Sequence, residues 1–107
     1  MIGGMRRAVL ALCVASLALG CSRRRVSRED CERMLDKYVE MAANADPAMP
    51  TLTPPQQDAL RAQKKAQKRR EPVFEQRVEQ CLREVTPRQY ECAMASMSVD
   101  PWEACLD

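Results

Sequence analysis

Apolar residues recur along the chain at helical spacing. Three stretches, residues 31–42, 74–85 and 90–97, carry apolar side chains every three or four positions, which is typical of the buried face of an amphipathic helix. No stretch alternates apolar and polar residues as a half-buried strand does. The sequence therefore predicts an all-α domain of three to four short helices. The predicted apolar positions are Cys31, Met34, Leu35, Tyr38, Val39 and Ala42, then Phe74, Val78, Cys81, Leu82 and Val85, and last Tyr90, Ala93, Met94 and Met97.

Polar caps and prolines mark the ends of these helices. Ser27 is predicted to cap the first helix, which ends near Asn44. Four prolines make residues 45–55 a linker. Pro72 is expected to interrupt or restart the polar helix of residues 56–71. Other caps are expected where a polar residue precedes a proline that fits a first helical turn, at Thr53, Thr86 and Asp100.

The N-terminus carries the pattern of an export signal. Arg6 and Arg7 precede residues 8–19, which are all apolar or small. This run is too short to span a bilayer, which takes roughly 20 residues, and is typical of a secretory signal peptide. It ends in Ala18-Leu19-Gly20-Cys21.

That ending resembles a bacterial lipobox, although Ala18 stands where the commonest pattern has leucine. The resemblance implies that residues 1–20 are removed and that Cys21 is acylated, which anchors the chain to a membrane. In the family that this ending resembles, an aspartate after the cysteine holds the protein at the inner membrane, so Ser22 at that position implies the outer membrane. The expected division is a signal peptide at 1–20, a lipidated tether at 21–27 and a helical four-cysteine domain at 28–107.

Removal of the signal peptide changes the charge balance. The whole chain carries 17 basic and 15 acidic residues, and loss of Arg6 and Arg7 leaves 15 of each. A neutral, exported chain is not expected to bind nucleic acid. One basic stretch remains in the helix of residues 61–70, and its candidate residues for binding an anionic lipid or glycan are Lys64, Lys65, Lys68, Arg69 and Arg70.

Four cysteines remain after Cys13 is removed and Cys21 is acylated. An even number in a short exported chain predicts two disulfides. Pairing Cys31 with Cys81 and Cys92 with Cys105 is favoured. Pairing Cys81 with Cys92 and Cys31 with Cys105 stays open, because positions 81 and 92 flank the Thr86 turn almost symmetrically.

The residue types present argue against catalysis. There is no histidine, no glycine-rich phosphate loop and no Cys-x-x-Cys pair, so neither an enzyme, a cofactor nor a metal site is expected. The ending Cys92-Ala93-Met94 followed by Trp102-Glu103-Ala104-Cys105 resembles small four-cysteine helical lipoproteins of Gram-negative bacteria. That resemblance implies no activity.

Together these patterns predict an envelope lipoprotein that acts as a structural or interaction module. Its expected partners are the membrane, through the lipid anchor, and an envelope protein. Two alternatives stay open. The first is binding of anionic lipid or glycan through residues 61–70, and the second is a cysteine-based redox or metal-binding role.

Overall fold

Five α-helices and one 3₁₀ helix form within residues 25–107, the part of the chain that the computed structural model describes. No strand occurs in this range, so the predicted all-α class is confirmed. The helices outnumber the predicted three to four because the last turn is a helix of its own. Pro72 begins a new helix, which is one of the two outcomes expected there. They are α1 (Arg28–Asn44), α2 (Pro54–Arg70), α3 (Pro72–Glu84), α4 (Pro87–Ala95) and α5 (Val99–Cys105), with the 3₁₀ helix at Met49–Thr51.

Reciprocal hydrogen bonds fix the first turns of three helices, at the caps that the sequence predicts. The Ser27 hydroxyl accepts a hydrogen bond from the Asp30 N–H at 3.1 Å. The Asp30 carboxylate accepts one from the Ser27 N–H at 3.0 Å. This capping box satisfies backbone donors that have no partner within the helix. The same box forms before α2 and α4, with the pairs Thr53 and Gln56, and Thr86 and Gln89.

The predicted cap of the last helix is wrong. α5 begins at Val99 with Ser98 as its N-cap, so Asp100 lies in the first turn. Pro101 is tolerated there because the first backbone N–H groups of a helix have no intrahelical partner to lose.

The core forms around α1, which contacts each of the other four helices. One face of α1 packs against one face of α3. The core is completed by Ala93 of α4 and Trp102 of α5. Within the described residues, α2 contributes no buried residue. The buried cluster consists of Cys31, Met34, Met41, Phe74, Val78, Cys81, Ala93 and Trp102.

Three predicted apolar positions are exposed instead of packed. Ala42 is exposed, and Leu82 and Met97 are 43% and 90% exposed. Met41 is buried although the sequence pattern omitted it, because it lies on the same side of α1 as Met34, two helical turns earlier. Met97 lies beyond the end of α4, and Leu82 lies beside the buried stripe of α3 rather than in it.

Two disulfides cross-link the helices. Cys31 is bonded to Cys81, which joins α1 to α3 with the Cα atoms 5.9 Å apart. Cys92 is bonded to Cys105, which joins α4 to α5 with the Cα atoms 5.7 Å apart. This is the first of the two pairings that the sequence left open.

The predicted linker of residues 45–55 packs onto the domain. Met49 in its 3₁₀ helix is buried, with 5% of its surface exposed. The Gln57 side chain on α2 donates hydrogen bonds to the carbonyl oxygens of Met49, at 3.0 Å, and Leu52, at 3.3 Å. This segment therefore fixes the turn between α1 and α2 rather than leaving the two helices loosely joined.

Candidate interaction surfaces

The predicted lipid attachment site lies outside the described residues. Residues 1–20, Cys21 and most of the tether at 21–27 are not among them. The described chain begins at Arg25, and Ser27 already caps α1. Five residues separate Cys21 from that cap. Since an extended chain spans at most about 3.6 Å per residue, an anchor at Cys21 would hold the start of α1 within about 20 Å of it.

The predicted anionic-ligand residues lie on α2, and two of them, Lys65 and Arg69, face acidic side chains of α1. Arg69 forms a bidentate ion pair with Asp36, with Nε–Oδ1 and Nη2–Oδ2 distances of 3.1 and 2.6 Å. This hydrogen bonding raises the pKa of Arg69 above its ordinary value. Lys65 Nζ lies 3.4 Å from an oxygen of Glu40. The remaining pairs are Lys64 with Asp46 at 3.7 Å and Lys68 with Glu71 at 3.5 Å.

Much of the positive charge of α2 is therefore balanced within the domain. Arg69 also lies 3.8 Å from Glu32 and stacks 5.6 Å above the Phe74 ring. Arg70 differs from the others, since it forms no ion pair with any residue in the range 25–107. The sequence showed the basic run but not the acids opposite it. The signal for them was the four-residue spacing of Asp36 and Glu40, which matches that of Lys65 and Arg69.

A groove of about 580 Å³ runs between α1, α3 and α5. Its volume is in the range of small-ligand sites. Apolar and aromatic side chains line it together with charged ones, so it differs from a purely apolar core cavity. No pattern along the chain indicates this groove, because it is formed by helices far apart in the sequence. Its lining residues are Leu35, Tyr38, Val39, Val73, Phe74, Trp102 and Leu106, with Lys68, Glu71, Arg77, Glu103 and Asp107.

Trp102, the single tryptophan of the chain, is a wall of this groove. Its ring packs against Tyr38 with the ring centroids 4.9 Å apart, and 7% of its surface is exposed. The indole nitrogen has no hydrogen-bond partner among the described residues. An unpaired buried donor costs about 1–3 kcal/mol, so the apolar packing of the ring must outweigh that cost.

The two disulfides lie in different surroundings. Cys31 and Cys81 are 0% and 3% exposed. Cys92 is exposed and Cys105 is half-buried. Beside the second disulfide, the buried Ser96 hydroxyl donates a hydrogen bond to the Cys92 carbonyl at 2.9 Å, and its oxygen lies 3.7 Å from the Cys105 sulfur.

Residues 25–107 contain no group of three or more cysteine or acidic side chains arranged to hold a metal ion. In the same range no helix is both long and apolar enough to cross a bilayer.

Compared with protein-family models, curated proteins and solved structures, the chain has no match. The class of this protein is therefore defined by its own structure, as a small all-α domain stapled by two disulfides.

Proposed function

We propose that this protein is an envelope lipoprotein whose helical domain acts as a structural or interaction module, without catalytic activity. The observation that carries this proposal is the short distance along the chain between the lipobox-like cysteine and the folded domain. The cap of α1 follows Cys21 after five residues. A lipid at Cys21 would thus keep the domain against the membrane surface, where it meets other envelope proteins.

The disulfides agree with an exported protein. Such bonds persist in oxidising compartments such as the bacterial periplasm and are rare in the cytosol. A domain of this size also has a small core, so covalent cross-links add stability that packing alone supplies poorly. The absence of aspartate after Cys21 favours the outer membrane.

The anchor is tested by substituting Cys21. We expect Cys21→Ala to abolish acylation and to move the protein out of the membrane fraction, because one or more acyl chains supply most of the membrane affinity. Cys13→Ala is the matched control, since residue 13 would leave with the signal peptide. Intact-mass spectrometry of protein from cells reports acylation and removal of the signal peptide, and cell fractionation reports whether the protein stays with the membrane. An unacylated chain that retains Met1 would contradict the proposal.

The interaction role is tested by photo-crosslinking in the intact envelope. A crosslinking amino acid is placed either at Val73, which lines the groove, or at Gln63, which is exposed on α2. We expect a discrete crosslinked envelope protein from one of these surfaces, and its loss in the Cys21→Ala background. Absence of any product from either surface, with anchoring intact, would contradict an envelope protein partner.

Binding of an anionic lipid or glycan through residues 61–70 has less support, because the pairs of α2 with α1 would have to open. We expect the intact protein in detergent to elute from heparin resin at low salt. Alanine at Lys64, Lys65, Lys68, Arg69 and Arg70 should change this no more than alanine at five exposed arginines elsewhere, Arg25, Arg33, Arg77, Arg83 and Arg88. Selective loss of retention in the α2 variant would favour the glycan alternative instead. The redox or metal alternative requires a cysteine that can be freed from its disulfide.

A further inference from the structure

The two disulfides differ in how a dissolved thiol can reach them. Exchange requires a thiolate to approach a sulfur atom in line with the S–S bond, so access is a main determinant of rate. The Cys31–Cys81 bond lies in the core, and both residues are almost fully buried. A thiol reaches it only after the domain opens. The Cys92–Cys105 bond has one exposed residue and joins α4 to α5, the two shortest α-helices of the described chain.

We propose that the Cys92–Cys105 disulfide is a site of thiol–disulfide exchange, where the thiolate of an envelope dithiol or a small monothiol attacks the Cys92 sulfur. This goes beyond the proposed interaction role and does not require the lipid anchor. Cys92 is the attacked residue because it is the exposed member of the pair.

The exchange is a balanced two-electron reduction. The incoming thiolate forms a new S–S bond with Cys92, and the electron pair of the broken bond leaves on Cys105 as a thiolate. A second thiolate, from the same dithiol or another monothiol, attacks the incoming sulfur of this mixed disulfide and releases Cys92 as a thiolate. Both thiolates then take up protons from water, and the attacking thiols leave as their own disulfide.

Ser96 is a positioning residue for the departing sulfur. Its hydroxyl is 3.7 Å from the Cys105 sulfur and donates to the Cys92 carbonyl. A rotation of the hydroxyl would let it donate to the Cys105 thiolate as negative charge develops there. Hydrogen bonds to charged groups are stronger than those to neutral ones, so this contact favours the departure of Cys105.

Opening this bond would free α5 from α4, and α5 carries Trp102. Because the chain has a single tryptophan, its fluorescence reports whether α5 stays packed against Tyr38. The core disulfide would still join α1 to α3.

The test uses the full-length protein isolated from the cell envelope in detergent, with free thiols blocked beforehand by N-ethylmaleimide. It is treated with reduced glutathione, quenched at intervals with iodoacetamide and mapped by mass spectrometry. We expect Cys92–Cys105 to open on the order of a hundredfold faster than Cys31–Cys81, because the buried bond requires local unfolding. The glutathione adduct should form on Cys92, and Trp102 fluorescence should change at the same rate.

Equal opening rates for the two bonds, or opening only in denaturant, would overturn the exchange site. An adduct on Cys105 would overturn the assignment of the attacked sulfur. Unchanged fluorescence after complete opening would overturn the release of α5. For the serine, Ser96→Ala should slow opening about tenfold, whereas Ser98→Ala, two residues along and without a side-chain cap bond, should leave the rate unchanged. An unchanged or faster rate in Ser96→Ala would remove Ser96 from the mechanism.

Discussion

At the scale of single residues, the clearest contributions to this fold are short-range hydrogen bonds at the helix starts. Asp30 shows the effect most directly. The hydrogen bond from the Ser27 N–H lowers the pKa of the Asp30 carboxyl below its ordinary value, and the nearby Arg33 guanidinium lowers it further. Ionised Asp30 therefore stabilises the first turn of α1, where a negative charge also favours the helix dipole.

The stability that Asp30 contributes should depend on pH. A carboxyl whose pKa is lower in the folded state stabilises the fold above its unfolded pKa, near 4, and loses this effect as the pH falls through the folded pKa. We expect Asp30→Asn to lower the free energy of unfolding by about 0.5–1 kcal/mol at pH 7, because the negative charge at the helix start is lost. The difference from the unsubstituted protein should shrink below about pH 4.

Urea unfolding followed by circular dichroism at a series of pH values between 2 and 7 measures this difference. Glu79→Gln, at an exposed position of α3, is the control and should not reproduce the effect. A difference between Asp30→Asn and the unsubstituted protein that stays constant across this range would contradict the assigned role.

At the scale of helices, α2 is held to the domain largely by polar contacts. It contributes no buried residue, yet it lies along α1. Asp36 pairs with Arg69, and Glu40 pairs with Lys65. The partner on α2 therefore lies four residues earlier when the residue on α1 lies four residues later, as in two antiparallel helices. Asn44 continues this antiparallel register, since its side-chain oxygen accepts a hydrogen bond from Arg61 at 2.7 Å.

The Asp36–Arg69 pair should couple the two helices measurably but weakly. Both side chains are partly exposed, which limits the coupling free energy to about 0.5–1 kcal/mol despite the bidentate geometry. A double-mutant cycle of Asp36→Ala and Arg69→Ala, followed by urea unfolding, measures it. The coupling should fall at high salt. The same cycle with Arg70→Ala in place of Arg69→Ala should give no coupling, and equal values for both cycles would refute the register.

At the scale of the whole molecule, the domain depends on two cross-links around a small core. The core disulfide closes a loop with a sequence separation of 50 residues, and the surface disulfide closes one of 13. In the chain-entropy description these contribute about 4 and about 3 kcal/mol, respectively. Because Cys31 and Cys81 are also buried, their loss removes packing as well as the covalent constraint.

We therefore expect the two disulfides to differ in their effect on stability. Replacing Cys31 and Cys81 by alanine should lower the free energy of unfolding by about 4 kcal/mol or more, and replacing Cys92 and Cys105 by alanine by about 3 kcal/mol. Urea unfolding monitored by circular dichroism compares the variants. A larger loss from the surface pair would contradict this order. If the first variant is unfolded in buffer, the second should still be folded.

The fold could be predicted where its causes are local. The Ser27, Thr53 and Thr86 caps were predictable because each bonds to a group three residues away. Met41 was missed although its position two turns after Met34 already placed it on the buried face of α1. The exposure of Leu82 was not predictable, because it depends on how α3 is rotated against its neighbours. The groove beside Trp102 was missed for the same reason, since its walls come from three separate helices.

The sequence by itself determined the helical class and most helix ends, because apolar spacing and capping act over a few residues of one chain segment. Tertiary structure decided which charged residues are paired and which disulfide is exposed. It placed the acids of α1 against the basic residues of α2, so that a run of positive charge in the sequence is largely balanced in the fold. It also buried one disulfide and left the other exposed, because burial depends on distances between helices and not on the spacing of cysteines along the chain.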